Sequence, residues 1–375
     1  MERAPDAQRT AAWPLAWAYA ALIVYASLYP FTDWRDQGIP PWSFLAAPLP
    51  RWWTGFDVAT NMVGYGPLGF LWALAALRTG RGGWGVAAGA AGGVALSFAL
   101  EMAQSYLPMR IPSNVDFALN SGGAIVGALV AWGLERLGAI ARWSRLRERW
   151  FIRDARGALV LLALWPVALL FPVAVPFGLG QVLERLEDAV LVLLDGTPFL
   201  DWLPVRTAEM EPLVPGAEML CVALGLAAPC LIAFSIARTV RQRIVLAAGV
   251  VAVGLGATAL SSALSYGPSN AWEWMTAPAL VGIAAGLVLV ALVLPAPRRG
   301  AAALALLAIA VHLNVLNEAP TSAYFWQTLQ TWEQGRFIRF HGLVQWLGWL
   351  WPFGALVYVL LRVSRRDRPS LESSR

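Results

Sequence analysis

Ten long apolar runs limit the fold of this chain more than any other feature. A helix that crosses the hydrocarbon core of a bilayer needs about 20 mostly apolar residues, and each run comes close to that length. Hydrophobic residues make up 58% of the chain and charged residues only 14%, whereas a water-facing surface needs roughly 25–35% charged residues. The sequence therefore predicts an all-α, polytopic integral membrane helix bundle with about ten transmembrane helices. The runs are 13–31, 58–77, 84–104, 115–134, 157–180, 217–237, 244–266, 277–294, 301–316 and 343–361.

The arginines indicate how the chain is oriented. All 28 basic residues are arginine, and 21 of them fall in alternate connecting segments, starting with the N-terminal one. Because short cytoplasmic loops collect Arg and Lys, this pattern predicts that both termini are cytoplasmic. The basic residues form no patch interleaved with aromatic residues, so nucleic acid is not an expected partner. Membrane lipids are.

A basic stretch divides the chain into two parts. We expect a four-helix membrane domain over residues 1–140, a basic cytoplasmic linker over 141–156 and a six-helix membrane domain over 157–375. The sequence assigns no role to the second domain. Its outer loops, 181–215 and 317–340, are each expected to hold a short helix that lies in the membrane interface.

The second and fourth apolar runs begin with similar eight-residue segments, 57–64 and 116–123. The two segments are identical at four of eight positions, and an arginine stands six residues before the aspartate that starts each segment. We therefore predict that the first four helices form two copies of one hairpin, related by an axis along the membrane normal. The matching positions include Asp57 and Asp116, Asn61 and Asn120, and Gly64 and Gly123.

Polar residues collect at one end of the second, third and fourth runs. Residues three or four positions apart share a helix face, and the predicted orientation places all of these groups within about two turns of the outer surface. An ionisable group inside a span costs about 2.5–3.5 kcal/mol on insertion scales, so its presence calls for a partner. We therefore expect one functional cluster made of Asp57, Asn61, Glu101, Gln104, Arg110, Ser113, Asp116 and Asn120.

Several chemistries fit this cluster. Its carboxylates and amides form an oxygen-rich set that suits a hard cation such as Mg²⁺. Alternatively, Arg110 neutralises the acids while Glu101, which lies on a span, transfers protons. A guanidinium at this depth also suits a lipid phosphate or a glycan carboxylate. The plainest alternative is that the polar groups only join the helices by hydrogen bonds. Two cysteines and two histidines in no ligand spacing predict no zinc site.

The order of these residues resembles the VanZ-like membrane proteins over roughly residues 15–135. The resemblance implies a bacterial inner (cytoplasmic) membrane protein and, because the family is named for an accessory protein of teicoplanin resistance, a link to glycopeptide resistance. It names no reaction, so no residue is assigned as catalytic. The matching residues are Asp57, Asn61, Pro67, Gly69, Glu101, Gln104, Arg110, Ser113, Asp116 and Asn120.

The expected function is to engage a lipid-linked or glycan ligand of the cell envelope, such as a cell-wall precursor, from the outer face. One alternative is a membrane enzyme that acts on a lipid phosphate or a glycan linkage, which metal dependence and loss of activity in Glu101→Gln would identify. A second alternative is a transporter, which requires ionisable groups that continue inward. The inner halves of the second and fourth runs are apolar instead.

Overall fold

The computed structural model describes residues 12–28, 31–49, 55–152, 154–200, 212–319 and 338–364, and the regular secondary structure in these ranges is helical. Short 3₁₀ turns cover Ser43–Ala46 and Pro268–Asn270. The α-helices are α1 (Ala12–Leu28), α2 (Gly55–Arg78), α3 (Gly82–Gln104), α4 (Asn114–Arg136), α5 (Ala139–Trp150), α6 (Arg156–Ala168), α7 (Leu183–Leu194), α8 (Pro215–Ile236), α9 (Val240–Tyr266), α10 (Ala277–Val293), α11 (Arg298–Leu316) and α12 (Ile338–Ser364).

The predicted all-helical membrane architecture is confirmed. The predicted number of transmembrane helices, about ten, is not. Among the described residues, six helical segments are long and apolar enough to cross a bilayer: α3, α4, α8, α9, α11 and Val344–Ser364 of α12. Three shorter apolar helices, α1, α6 and α10, also coincide with predicted runs. The count of ten spans stays a prediction, as do the inner membrane and the cytoplasmic termini.

The chain divides into two compact units, Met1–Arg147 and Glu148–Arg375. In the first unit, α2 and α4 run parallel in backbone contact. A Cβ added at Gly69 would collide with the carbonyl group of Ala124, and one added at Gly127 would collide with the carbonyl oxygen of Gly66. Small residues allow the two backbones to approach this closely. Close packing matters because transmembrane helices gain no hydrophobic driving force from leaving lipid. The predicted hairpin repeat stays a prediction.

The buried face of α3 explains how polar groups enter the first unit. Gly85, Gly89, Gly93, Ser97 and Glu101 recur every four residues, and all five are buried. Residues at this spacing lie on one face of a helix. The glycines bring α3 close to its neighbours, since a Cβ at Gly89 would lie 2.7 Å from the Ala73 nitrogen. The same face then carries a hydroxyl and a carboxylate into the bundle.

The second unit is built around α8. Every residue from Ala227 to Ile236 is buried, and a helix that is apolar on all sides requires cover on all sides. Helices α10 and α11 supply most of that cover. Gly282 and Gly286 of α10 lie against the backbone of α8, where a Cβ would be 2.7 Å and 2.9 Å from carbonyl oxygens of α8.

The fifth predicted span differs from its prediction. Helix α6 ends at Ala168, and residues 169–182 continue as irregular, mostly buried chain. Pro172 and Pro176 lack an N–H group and disfavour helix in the residue before them. Irregular backbone at membrane depth is tolerated only where protein covers it. Here Ser261 donates to the Leu170 carbonyl at 3.0 Å, and Gly180 donates to the Gly348 carbonyl at 2.9 Å.

A buried arginine closes the end of α10. The Arg243 guanidinium, near the start of α9, donates through Nη1 to the carbonyl oxygens of Leu294, at 2.7 Å, and Ala296. It also lies over the Phe234 ring, 5.6 Å from the centroid. The last carbonyl groups of a helix have no partner within it. Arg243 thus serves the packing of the second unit.

The outer loop expected over 181–215 holds a helix, α7. It is amphipathic in sequence, and Val192 and Leu193 are 78% and 77% exposed. Its position in a membrane interface stays a prediction. The second expected interfacial helix falls largely on residues 320–337, outside the described residues.

His312, which is buried on α11, contacts the Cys221 carbonyl oxygen through Nδ1 at 3.0 Å.

Candidate functional site

The loop between α3 and α4 forms one end of the first unit. Leu107 anchors it, because this side chain is buried against Leu28 and Leu100. The Arg110 N–H donates to the Leu107 carbonyl at 2.9 Å, which closes a turn. Arg110 is half-buried, whereas Ile111 beside it is 85% exposed. The turn therefore holds a guanidinium at the rim of the unit.

The side chain of Glu101, a residue of α3, lies against the N-terminus of α4. This side chain is only 3% exposed, and Oε2 accepts the backbone N–H of Ser113 at 2.8 Å. Ser113 is the N-cap residue of α4, and its Oγ accepts the Asp116 N–H at 3.3 Å. The free N–H groups and the dipole of a helix N-terminus stabilise negative charge. The α3 carboxylate thus occupies a place suited to an anion.

Asp116 joins α4 to α2. Its Oδ1 accepts a hydrogen bond from Asn61 Nδ2 at 2.7 Å, and both side chains are half-buried. Asp116 stands in the first turn of α4, where negative charge is favoured. Four of the predicted residues are therefore linked from three helices: Asn61, Glu101, Ser113 and Asp116. The side chain of Asp57, another predicted residue, lies outside the described residues.

Asn120 extends the polar row inward. Its Nδ2 donates to Ser97 Oγ at 3.2 Å, and the Tyr65 hydroxyl lies close to Ser97. All three residues are buried. The Asn120 Oδ1 atom has no hydrogen-bond partner among the described residues. It can accept a hydrogen bond from a hydroxyl group or water that reaches this depth.

Sequence reasoning missed Tyr65 and Ser97, although their spacing carries a signal. Tyr65 follows Asn61 by four positions, and Ser97 precedes Glu101 by four. Each therefore lies on the face that already carries a predicted site residue. Gln104 was expected in the cluster, but its Nε2 donates to the Ser27 carbonyl at 3.2 Å and so ties α3 to the end of α1.

The segment 31–49 packs over the same end of the unit. Gln37 donates to the Ser105 carbonyl at 2.7 Å, and Asn114 donates to the Ala47 carbonyl at 2.6 Å. Phe44, which is buried, forms a triangle of rings with Phe98 and Phe117, with centroid separations of 5.9–6.1 Å. This segment braces the α3–α4 loop, and no motif in the sequence indicated it.

The predicted cluster combines carboxylate and amide oxygens with one guanidinium. Among the described residues, no three His, Cys, Asp or Glu side chains are grouped to hold a metal ion. The set proposed for Mg²⁺ needs Asp57 beside Glu101 and Asp116, so the Mg²⁺ site stays a prediction. The described groups offer acceptors for hydroxyl or amine protons and a donor for an anion.

Residues 9–137 match the model of the VanZ/LLP1 family. The match covers the first unit almost completely and agrees with the resemblance inferred from the polar motif. It ends before α5, so it says nothing of the second unit. No curated protein and no solved structure matches the chain.

Proposed function

We propose that the VanZ-like segment binds the head group of a cell-envelope lipid or glycan from the outer side of the bacterial inner membrane. The proposal depends on one observation above all. Asn61, Glu101 and Asp116, from three apolar helices, meet around the N-terminus of α4, and Arg110 lies in the loop three residues before Ser113. Ionisable groups inside a membrane bundle cost free energy to insert and therefore point to a functional site.

A sugar phosphate is the head-group chemistry that fits these residues best. Carboxylate and amide oxygens accept hydrogen bonds from sugar hydroxyl and acetamido groups. A guanidinium pairs with phosphate or carboxylate through two parallel hydrogen bonds. Asp116 and Asn61 supply the first function and Arg110 supplies the second. Cell-wall precursors present both groups in one molecule, which is why we favour them over a simple anion.

A membrane enzyme that acts on a lipid phosphate or a glycan linkage is the second candidate. The supporting observation is that the site contains two carboxylates, Glu101 and Asp116, and acid–base chemistry requires such groups. The transporter alternative is less well supported. Tyr65, Ser97 and Asn120 extend the polar row by one helical turn, but Gly93 then packs directly on Ala124.

A labelling experiment tests head-group binding. In the full chain with both cysteines replaced by alanine, Ile111→Cys should react with a membrane-impermeant maleimide from the outer side of spheroplasts. N-acetylglucosamine 1-phosphate at several times its Kd should slow this reaction about fivefold, because the ligand would cover the turn beside Arg110. N-acetylglucosamine alone and inorganic phosphate should have much smaller effects.

Matched variants show whether the protection depends on the cluster. Arg110→Gln and Asp116→Asn, each combined with Ile111→Cys, should lose the protection. Trp272→Cys, at an exposed position in another loop predicted to be on the outer side, should react at one rate with or without the sugar phosphate. Equal reaction of the Ile111→Cys variant with and without every probe would contradict the proposal.

The resistance link is tested by susceptibility. A strain that depends on this chain for its teicoplanin tolerance should become more sensitive when it carries Asp116→Asn, with an equal amount of protein in the membrane. Vancomycin tested in parallel shows whether the effect is specific to teicoplanin. Unchanged susceptibility in the Asp116→Asn and Glu101→Gln strains would remove the resistance role and leave head-group binding untouched.

A further inference from the structure

An apolar groove runs along the outside of the first unit between α3 and α4. Its volume is about 520 Å³, within the range of known ligand sites. Small side chains form its floor, and two aromatic rings stand at one end. The lining includes Ala90, Ala91, Val94, Ala95, Phe98 and Phe117.

Two of the three groove alanines are not used for packing helices together, whereas Ala90 packs against the core of the unit. Small residues on a membrane helix normally permit a second helix to approach, and the glycine face of α3 does so. Ala91 and Ala95 lie on a different side and are exposed. Ile125 of α4, also exposed, lines the same groove. The result is a channel for an apolar chain on the surface that faces lipid.

The aromatic end of the groove lies within one helical turn of the polar cluster. Phe98 lies three residues before Glu101, and Phe117 follows Asp116. The two rings are 5.9 Å apart by their centroids. They line one end of the groove, and Phe44 packs on both. A molecule that has its polar end at Asp116 and Arg110 can therefore place an attached chain in the groove without leaving the surface of the unit.

We infer that the groove holds one hydrocarbon chain of a lipid whose head group, bearing phosphate and hydroxyl groups, lies at the polar cluster. This inference rests on the proposed function and narrows it, because it makes the ligand lipid-linked and excludes a free glycan. Charge supports the choice of lipid. Arg110, in the α3–α4 loop three residues before Ser113, complements a phosphate, and the Asp116 and Asn61 oxygens complement hydroxyl groups.

Photocrosslinking tests the inference on the full chain in phosphatidylcholine nanodiscs. The probe is phosphatidylglycerol with a diazirine in the middle of one acyl chain. It should label residues 90–98 and 117–125, and excess unlabelled phosphatidylglycerol should remove this labelling while excess phosphatidylcholine does not. Labelling of the exposed positions Val253 and Leu260 on α9 provides the internal reference for ordinary lipid, and it should respond equally to both competitors.

Filling the groove should displace the chain. Ala95→Phe and Ala91→Phe should each lower groove labelling several-fold, and the smaller change Ala95→Val should lower it less. Ala99→Phe is the matched control, since Ala99 is exposed on the same helix but does not line the groove. Unchanged elution volume and unchanged α9 labelling show that a variant is folded.

The outcomes separate the two proposals. If groove labelling follows α9 labelling under both competitors, or survives Ala95→Phe, the groove inference is wrong, while sugar-phosphate protection of the Ile111→Cys variant can still hold. If labelling is lost in Ala95→Phe but is equally competed by both lipids and unchanged in Asp116→Asn, the groove binds a chain without head-group selection. That result would contradict the inference that the lipid in the groove has its head group at the polar cluster.

Discussion

Replacing Gly127 with alanine is expected to prevent the first unit from folding stably. The new Cβ would collide with the Gly66 carbonyl oxygen and would lie 2.9 Å from the Phe70 nitrogen. Both are backbone atoms, so no side-chain rotation relieves the contact. Overpacking costs about 1–3 kcal/mol even where side chains can adjust. Here α2 and α4 must separate, which also stretches the Asn61–Asp116 hydrogen bond.

Fluorescence-detected gel filtration of the heated, detergent-solubilised full chain measures this effect. Gly127→Ala should aggregate at a clearly lower temperature than the parent chain. Gly122→Ala is the matched control on the same helix, because a Cβ there meets nothing within 4 Å. Alanine favours helix over glycine by about 1 kcal/mol, so the control should be neutral or slightly stabilised. Equal melting of the two variants would show that α2 and α4 do not touch at Gly127.

Replacing Asn317 with alanine is expected to destabilise the second unit by several kcal/mol. The Asn317 Oδ1 accepts the N–H groups of Val182 and Leu183 at 3.0 Å, and Nδ2 donates to the carbonyl oxygens of Gly180 and Leu313. The side chain is 6% exposed. Each buried polar group left without a partner costs about 1–3 kcal/mol, and the irregular segment before α7 depends on this residue.

Asn314 supplies the comparison. It lies three residues earlier, is exposed, and makes one hydrogen bond to Glu318 at 2.9 Å. Asn314→Ala should change stability by less than about 0.5 kcal/mol, as exposed substitutions usually do. Heating both variants in the gel-filtration assay measures the difference. If Asn317→Ala and Asn314→Ala aggregate at the same temperature, the segment 169–182 is held by other contacts.

Helical spacing made much of the site predictable. Asp57 and Asn61, like Asp116 and Asn120, are four residues apart, and the apolar runs around them allow only helix. The sequence therefore indicated which faces carry polar groups. It could not show that Gln104 turns toward Ser27, because the direction of a side chain near a helix end depends on the neighbouring helix. The function of the predicted cluster stays a prediction.

Tyr65 and Ser97 show a second limit. A tyrosine or serine in an apolar run is common, and only the position of the facing helix makes it a partner of Asn120. The fifth run shows a third limit. Its composition is uniformly apolar, so hydropathy predicts one span, but prolines end the helix, and the side chains of Ser261 on α9 and Asn317 after α11 satisfy part of the irregular backbone that follows.

Composition and periodicity by themselves determined that this protein is helical and faces lipid, since lipid admits only segments that satisfy their own backbone hydrogen bonds. The tertiary structure alone decided which polar groups meet, because glycines at helix contacts set the distances between helices. Those distances place the Glu101 carboxylate against the start of α4 and leave an apolar groove between α3 and α4. Neither feature is encoded within one helix, because each is formed by atoms from two.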